Sequence, residues 1–414
     1  MSDSAKKAST KGAAATIAIV LVTSLFFVWG LAMNLVSSLN APIANYLELT
    51  TTQTSLMQVA YYGAYFVMAI PAGAIAKKFG YKGGVIAGLA LFVIGSIITV
   101  PATNAASFAL FLVSTFVVAA GATTLEANCN PYITKLGDEK HESMRLNLAQ
   151  SFNGVGSIVG PLIMAQILST TVAAGQPGFA EAKTAFLGST RGIYIVIAIV
   201  LAVFVFVKLP TPPNDVEEAG SEKAAKGGAL KKPYFKLGVV AEFFYVGIQT
   251  VGFSLFATYA TKVAGLEMSL ATGLVSALSL LFTIGRFGST PLLAKKDPGK
   301  LLGIYMTGAA VCFFLVFLNL GVVSVAAFVV AYLFMSIGYP TIFSLSLRGM
   351  SGDETKTGSS IITMSIVGGA IIPVVVSAIG DACGLSVAML VAVPCLAFCA
   401  WYGFAGSKIG FGEE

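Results

Sequence analysis

Glu126 is a carboxylate set in an apolar run. It lies in FALFLVSTFVVAAGATTLEANCNPY, Phe108 to Tyr132, followed at once by Asn128, Asn130 and Pro131. An ionisable side chain at membrane depth is costly and usually faces a bundle interior or a water-filled path. There a carboxyl can carry a proton or, ionised, ligate Na⁺; the plainer alternative is a structural acid satisfied by neighbouring Asn or Ser groups. Asn130 is four residues on and shares the face of Glu126 on a helix, whereas Asn128 faces elsewhere. Pro131 lacks an amide hydrogen and would loosen the inner end of the segment.

Other polar residues fall at helical spacing in apolar sequence. SLFFVWGLAMNLVSSLNAP places Asn34, Ser37 and Ser38 on one stripe, with Asn40 beyond. Such a stripe serves either as interhelical glue or as an amide and hydroxyl lining for a sugar or Na⁺. Glu126, Asn34 and Ser37 form the candidate cation set. MRLNLAQSFNGVGSIVGP carries Asn147, Gln150 and Asn153 down one line. Amides donate and accept, which suits a polyhydroxylated ligand, and Gln150 and Asn153 are the better placed. GVVAEFFYVGIQTVGF holds a second acid, Glu242, with Tyr245, Gln249 and Phe253 continuing the face. Glu242 reads equally as a gating or ion-linked group and as a structural one. Gln58, Tyr61, Tyr62 and Tyr65 add polar groups on the second apolar segment. Tyr339-Pro340 breaks the tenth, and Ser360, Thr363 and Ser365 lie on the eleventh.

The elements that must position these residues are membrane helices. Of 414 residues, 56% are hydrophobic and 11% charged, against roughly 25% charged in soluble domains; the mean hydropathy is +0.85. Apolar stretches long enough to span a bilayer recur about twelve times. They run near 14–39, 54–76, 82–101, 105–132, 143–170, 191–209, 234–261, 268–293, 299–318, 322–347, 357–380 and 384–406. A transmembrane β-barrel would show short alternating segments instead. The expected fold is an all-α polytopic membrane protein of twelve helices.

Charge placement orients the spans. With the N-terminus inside, 22 of 25 Lys and Arg fall on the inner side and only Lys183, Arg191 and Lys262 outside. This positive-inside bias makes both termini cytoplasmic. Arg145, Arg286 and Arg348 sit at inner ends of spans, where gate salt bridges and lipid contacts are both open. The stretch 210–233, PTPPNDVEEAGSEKAAKGGALKKP, reads as a flexible linker. The expected order is a loose tail 1–13, a six-helix bundle 14–209, the linker, a second six-helix bundle 234–406 and a tail 407–414. A faint echo relates the halves: AGAIAKKFGYKGG at 72–84 matches GRFGSTPLLAKKDPGK at 285–300 in placement. Two parallel six-helix repeats define the major facilitator arrangement, with substrate near midplane at the repeat interface and alternating access.

The net charge of +6 sits in short loops and is no nucleic-acid signal. The five cysteines lack metal-ligand spacing and read as small hydrophobes. There is no phosphate-binding loop and no hydrolytic constellation, and the lone His141 lies in a loop. The sequence therefore points to a transporter rather than an enzyme, with no cofactor, membrane lipid as its surroundings, no nucleic-acid partner and action as a monomer.

Four stretches carry a family resemblance: SLFFVWGLAMNL; TTLEANCNPYITKLG with RLNLAQSFNGVG; AEFFYVGIQT; and FMSIGYPTIFSLSLRG followed by GGAIIPVV. They resemble the fucose/glucose/galactose branch of the major facilitator sugar transporters over about residues 15–405. The resemblance implies hexose import across a bacterial inner membrane, driven by H⁺ or Na⁺. It also implies that Glu126 is a cavity carboxylate in recognition or coupling, that Tyr339 is a cavity tyrosine, and that Gln150 and Asn153 lie on the matching face. Two departures stand out. The branch's pattern has an aspartate near the end of the polar stretch of the first span, where this chain has MNLVSSLNAP and no acid. It has a neutral amide where this chain has Glu242. With the first acid missing, Na⁺ is slightly favoured over H⁺. A facilitative uniporter, a drug/proton antiporter, a carrier of another polar solute and a non-transporting sensor are the competing readings.

Overall fold

The computed structural model describes residues 3–49, 51–136, 138–167, 172, 175–206, 228–350 and 352–412. Within its helices the side chains of Ser37, Ser38, Asn40 and Gln58 lie outside the described residues. Among the described residues the regular elements are all helical: α1 Asp3–Ser38, α2 Asn40–Tyr46, α3 Thr51–Asn104, α4 Phe108–Thr134, α5 Glu142–Ile167, α6 Phe179–Phe206, α7 Gly228–Lys231 and α8 Pro233–Lys262. Then follow α9 Met268–Lys295, α10 Pro298–Phe317, α11 Val322–Met335, α12 Gly338–Leu347, α13 Gly352–Met364, α14 Gly368–Cys383, α15 Leu385–Ala388 and α16 Ala392–Phe404. Among the described residues ten helical stretches are long and apolar enough to cross a membrane. The stretch Phe179–Val205 is only 22% buried although strongly apolar. Its exposed ridge of Ile195, Val196, Ile199, Val200 and Val203 has no place in water and faces lipid in a membrane protein.

Several boundaries depart from the sequence reading, each for a local reason. The tail expected to be loose at 1–13 is helical from Asp3, its alanines and lysines being good helix formers. The second and third spans are two helices, as expected, but they meet inside α3 at a kink with no intervening loop: Gly80 has φ 70° and ψ 175°, a conformation that strongly favours glycine. The tenth span divides into α11 and α12 ahead of Pro340. A 3₁₀ turn at Met389–Val391 precedes α16, where Pro394 cannot donate to the carbonyl four residues back. Most of the expected linker lies outside the described residues. All five cysteines are free; four are buried as expected, but Cys383 is exposed near the C-terminal end of α14.

Two compact units emerge, Met1–Tyr132 with Phe152–Ala219, and Ile133–Ser151 with Gly220–Glu414. In the first unit, α3 and α4 approach through glycines. A Cβ on Gly121 would lie 2.5 Å from Phe92 N and 2.8 Å from Gly88 O. α1 and α5 do the same at Gly156, where a Cβ would lie 2.5 Å from Leu31 N and 2.6 Å from Phe27 O. Small residues allow this backbone contact where lipid supplies no hydrophobic drive. The second unit packs around aromatics: Phe328 meets Phe256, Tyr259 and Phe313 with ring centroids 5.2, 5.7 and 5.1 Å away.

Candidate functional site

In the first unit α4 places Glu126 at 8% exposure amid buried Leu125, Ala122 and Ala127. Its carboxyl is close enough to Tyr61 and Cys129 to act on both electrostatically. Tyr61 belongs to an aromatic cluster on α3, with ring centroids 5.1 Å from Tyr62 and 5.3 Å from Tyr65. It also packs on Ala64, Ala119 and Ala120. Asn130 is fully buried one turn beyond Glu126. Asn128 turns away as the helical spacing requires: its Nδ2 donates to Thr124 O at 2.7 Å, and its amide lies against Gly84.

Asn34 and Asn153 tie α1 to α5. Asn34 Nδ2 donates to Gly30 O at 2.8 Å and to Ser157 Oγ at 2.9 Å. Asn153 Nδ2 donates to Phe26 O at 3.2 Å. These two amides bond across the α1–α5 contact in this structure. The side chains of Ser37, Ser38 and Gln58, expected to line the site, lie outside the described residues.

In the second unit the start of α5 joins α9 and α12. Ser143 Oγ lies 2.6 Å from Ser344 Oγ. Met144 packs on Leu293, Leu301 and Ile337. Asn147 Nδ2 donates to Arg286 O at 2.8 Å and to Thr290 Oγ1 at 2.9 Å. Gln150 is buried, and its carbonyl accepts from Arg286 Nη1 at 2.8 Å. Glu242 is buried completely on α8, in electrostatic reach of Tyr245, Cys399 and Tyr402.

Two expected sugar contacts have other roles. Tyr245 is fully buried and its hydroxyl donates to Met335 O at 2.6 Å, at the end of α11. Ser360 Oγ donates to Lys356 O on its own helix at 2.9 Å, which occupies its only donor. Gln249 is half-buried, and its carbonyl accepts from Tyr332 Oη at 2.5 Å. Tyr339 is 6% exposed and stacks on Phe343 at 6.0 Å.

The arginines at span ends are carbonyl binders, which spacing alone did not reveal. Arg145 caps α4 by donating from Nε to Ile133 O at 3.3 Å and from Nη2 to Thr134 O at 2.6 Å, and it pairs with Asp138 at 3.2 Å. Arg348 stacks over Phe411 at 3.8 Å and donates to Ser407 O at 3.2 Å. A signal was available: an arginine at a span end has five donors, and helix ends present orphan carbonyls.

The turn between α4 and α5 is titratable. His141 Nδ1 lies 2.5 Å from Asp138 Oδ2, and this bond to His141 holds the Asp138 carboxyl below its usual range. Burial pushes Glu142 up from 4.5 to about 7, against the pull of Lys135, Arg145 and Arg348 and with a smaller upward push from Glu139. The packed form thus holds a proton more tightly than a solvated carboxyl. The stability this supplies is full below the ordinary value and is lost as pH rises toward about 7. Glu142→Gln is expected to remove the loss. Melting curves of variant and parent should coincide at about pH 4, with the variant higher by about 2 °C at about pH 8. Parallel melting temperatures across that range would mean an ordinary carboxyl.

Apolar helices with a buried acid suit a membrane carrier, and comparison with known proteins shows the class. The Major Facilitator Superfamily profile matches residues 20–373. The chain is 35% identical over 396 residues to the glucose/galactose transporter of Brucella abortus, covering 94% of each chain. It is 34% identical over 408 residues to the L-fucose-proton symporter of Escherichia coli, covering 94% of this chain and 92% of that one. A crystal structure of the E. coli fucose:proton symporter superposes with a TM-score of 0.86 at 32% identity, covering 94% of this chain and 98% of that one. The chain belongs to the Major Facilitator Superfamily. Within it the chain falls in the branch that holds these glucose/galactose and fucose transporters. It is a multipass carrier of the major facilitator fold, not an enzyme.

Proposed function

We propose that this protein imports a hexose together with a proton by alternating access, with Glu126 as the coupling group. The observation that carries the reading is the burial of Glu126 among apolar and aromatic side chains of the first unit. A proton needs one carboxyl, and Glu126 supplies one within electrostatic reach of Tyr61 and Cys129. Relatives named for proton symport support the proton over Na⁺. Ser37 and Ser38 stand where the branch's pattern has its aspartate, and among the described residues of the first unit Glu126 is the one buried acid. One proton per sugar follows from that set.

In this reading the spans number twelve, in two six-helix repeats. Gly80 divides α3 into two spans, and α5 adds a less apolar one to the ten apolar stretches. Both termini lie on the cytoplasmic side of a bacterial inner membrane, as the placement of Lys and Arg requires. The protein works as a monomer. Gln150, Tyr339 and Gln249 are the sugar residues of the second unit, and Asn153 and Tyr62 those of the first. Glu242 is a second buried acid whose part is structural or ion-linked.

The test is counterflow in proteoliposomes with labelled D-glucose, D-galactose, L-fucose and D-mannose taken one at a time. At least one hexose is expected to exchange rapidly, and unlabelled congeners should compete. Exchange of none of the four by reconstituted, folded protein would overturn the sugar assignment.

A further inference from the structure

Pro340 has no amide hydrogen, so the helix through Tyr339 cannot close onto the Ser336 carbonyl. α11 accordingly stops at Met335 and α12 restarts at Gly338. Side chains from other helices take the carbonyls at this break. Tyr245 Oη donates to Met335 O at 2.6 Å, and Arg286 Nε donates to Ser336 O at 2.9 Å. The same guanidinium donates from Nη1 to Gln150 O at 2.8 Å. It lies over the Phe282 ring at 4.4 Å, and Arg286 is 5% exposed. Asn147, one turn before Gln150, returns a bond to the Arg286 carbonyl at 2.8 Å. One planar cation thus joins the main chain at Gln150 to the break that presents Tyr339.

We infer that Arg286 is a positioning residue for sugar binding: by holding the Gln150 and Ser336 carbonyls together, it sets the separation of the Gln150 and Tyr339 side chains. This rests on the reading of Gln150 and Tyr339 as sugar contacts. Arginine suits the task because its donors form a rigid fork. Lysine keeps the charge and the contact with Phe282 but presents a single ammonium that cannot span both carbonyls with the same geometry. A carbonyl left unpartnered inside the protein is costly, so the strands of this junction would shift to reach another donor.

A merely structural arginine would change stability and leave affinity alone. A positioning arginine changes affinity while turnover at saturating sugar holds. The experiment uses full-length purified protein, with equilibrium binding of labelled D-glucose, D-galactose and L-fucose taken separately, and melting temperature as the control. For the sugar that the parent binds, Arg286→Lys is expected to raise Kd about tenfold, with melting temperature held within about 2 °C. Saturated exchange should stay within about threefold of the parent. Pro340→Ala gives residue 340 an N–H for Ser336 O, so in that background Arg286→Lys should cost less than about threefold.

Parent-like Kd in Arg286→Lys, with Gln150→Ala and Tyr339→Phe impaired, would overturn the positioning role and keep the site. Parent-like Kd in both Gln150→Ala and Tyr339→Phe would overturn the site reading, and this inference with it. Should Arg286→Lys fail to fold, Pro340→Ala decides alone. Its new N–H competes with Arg286 for Ser336 O, so a Kd raised by at least about threefold supports the role, and an unchanged Kd rejects it.

Discussion

Glu126→Gln is expected to abolish uphill accumulation of sugar while leaving exchange of sugar for sugar in place. The glutamine keeps the shape and hydrogen-bonding size of a protonated carboxyl but cannot release its proton. A carrier frozen in the loaded state can still cycle with sugar bound, which is what counterflow measures. It cannot draw on the gradient. With one proton per sugar, a gradient of about one pH unit supports accumulation of about tenfold, since each 1.4 kcal/mol is a factor of ten. The parent should approach that ratio and Glu126→Gln should stay near about one. Uptake of the labelled hexose into vesicles with the proton gradient imposed gives the ratio directly. Loss of exchange along with accumulation would move Glu126 from coupling to sugar recognition.

The second large effect is mechanical. Gly156→Val is expected to destabilise the first unit severely. The added side chain meets main chain, Leu31 N at 2.5 Å and Phe27 O at 2.6 Å, and main chain in a hydrogen-bonded helix cannot step aside. Overpacking of a close contact costs typically about 1–3 kcal/mol and more where backbone must move. A melting temperature lower by about 10 °C, or a sharp loss of monodisperse protein, is the expected result. Gly156→Ala should fall between parent and valine. The displacement would also reach Asn153, whose amide bonds α1 at Phe26 O, so sugar affinity in any folded fraction should fall as well. A valine variant that melts with the parent would mean that α1 and α5 are not locked at this point.

The helical fold and the buried acid were legible because membrane helices obey short-range rules. Apolar length sets a span, and one ionisable residue inside it stands out against that background. The same holds for the turn of Asn128 away from Glu126, which follows from helical spacing. Pro340 announced the break in the tenth span but not its place: the interruption falls at Ser336–Ile337, where the missing donor would have bonded. What spacing could not show is which side chain reaches which carbonyl. Tyr245, Gln249 and Phe253 share a helix face and read as a sugar platform, yet the Tyr245 hydroxyl is spent on Met335 O and Phe253 packs on Tyr332 at 4.8 Å. Arg286 was an arginine at a span end until its two carbonyl partners came from segments far apart in the chain. An amide on an apolar helix serves a neighbouring helix or a solute with the same atoms, so the bonds of Asn34 and Asn153 between α1 and α5 could not be read from spacing.

Coupling as proposed exchanges a proton held by Glu126 for work on the sugar. The most direct measurement imposes an inward proton gradient, an inward Na⁺ gradient or neither on vesicles holding parent or Glu126→Gln protein, and follows labelled hexose to its steady level. Accumulation in the parent under the proton gradient alone, and none in the variant under any condition, is the predicted result. Equal accumulation by parent and variant, or accumulation that follows Na⁺ and ignores the proton gradient, would contradict it.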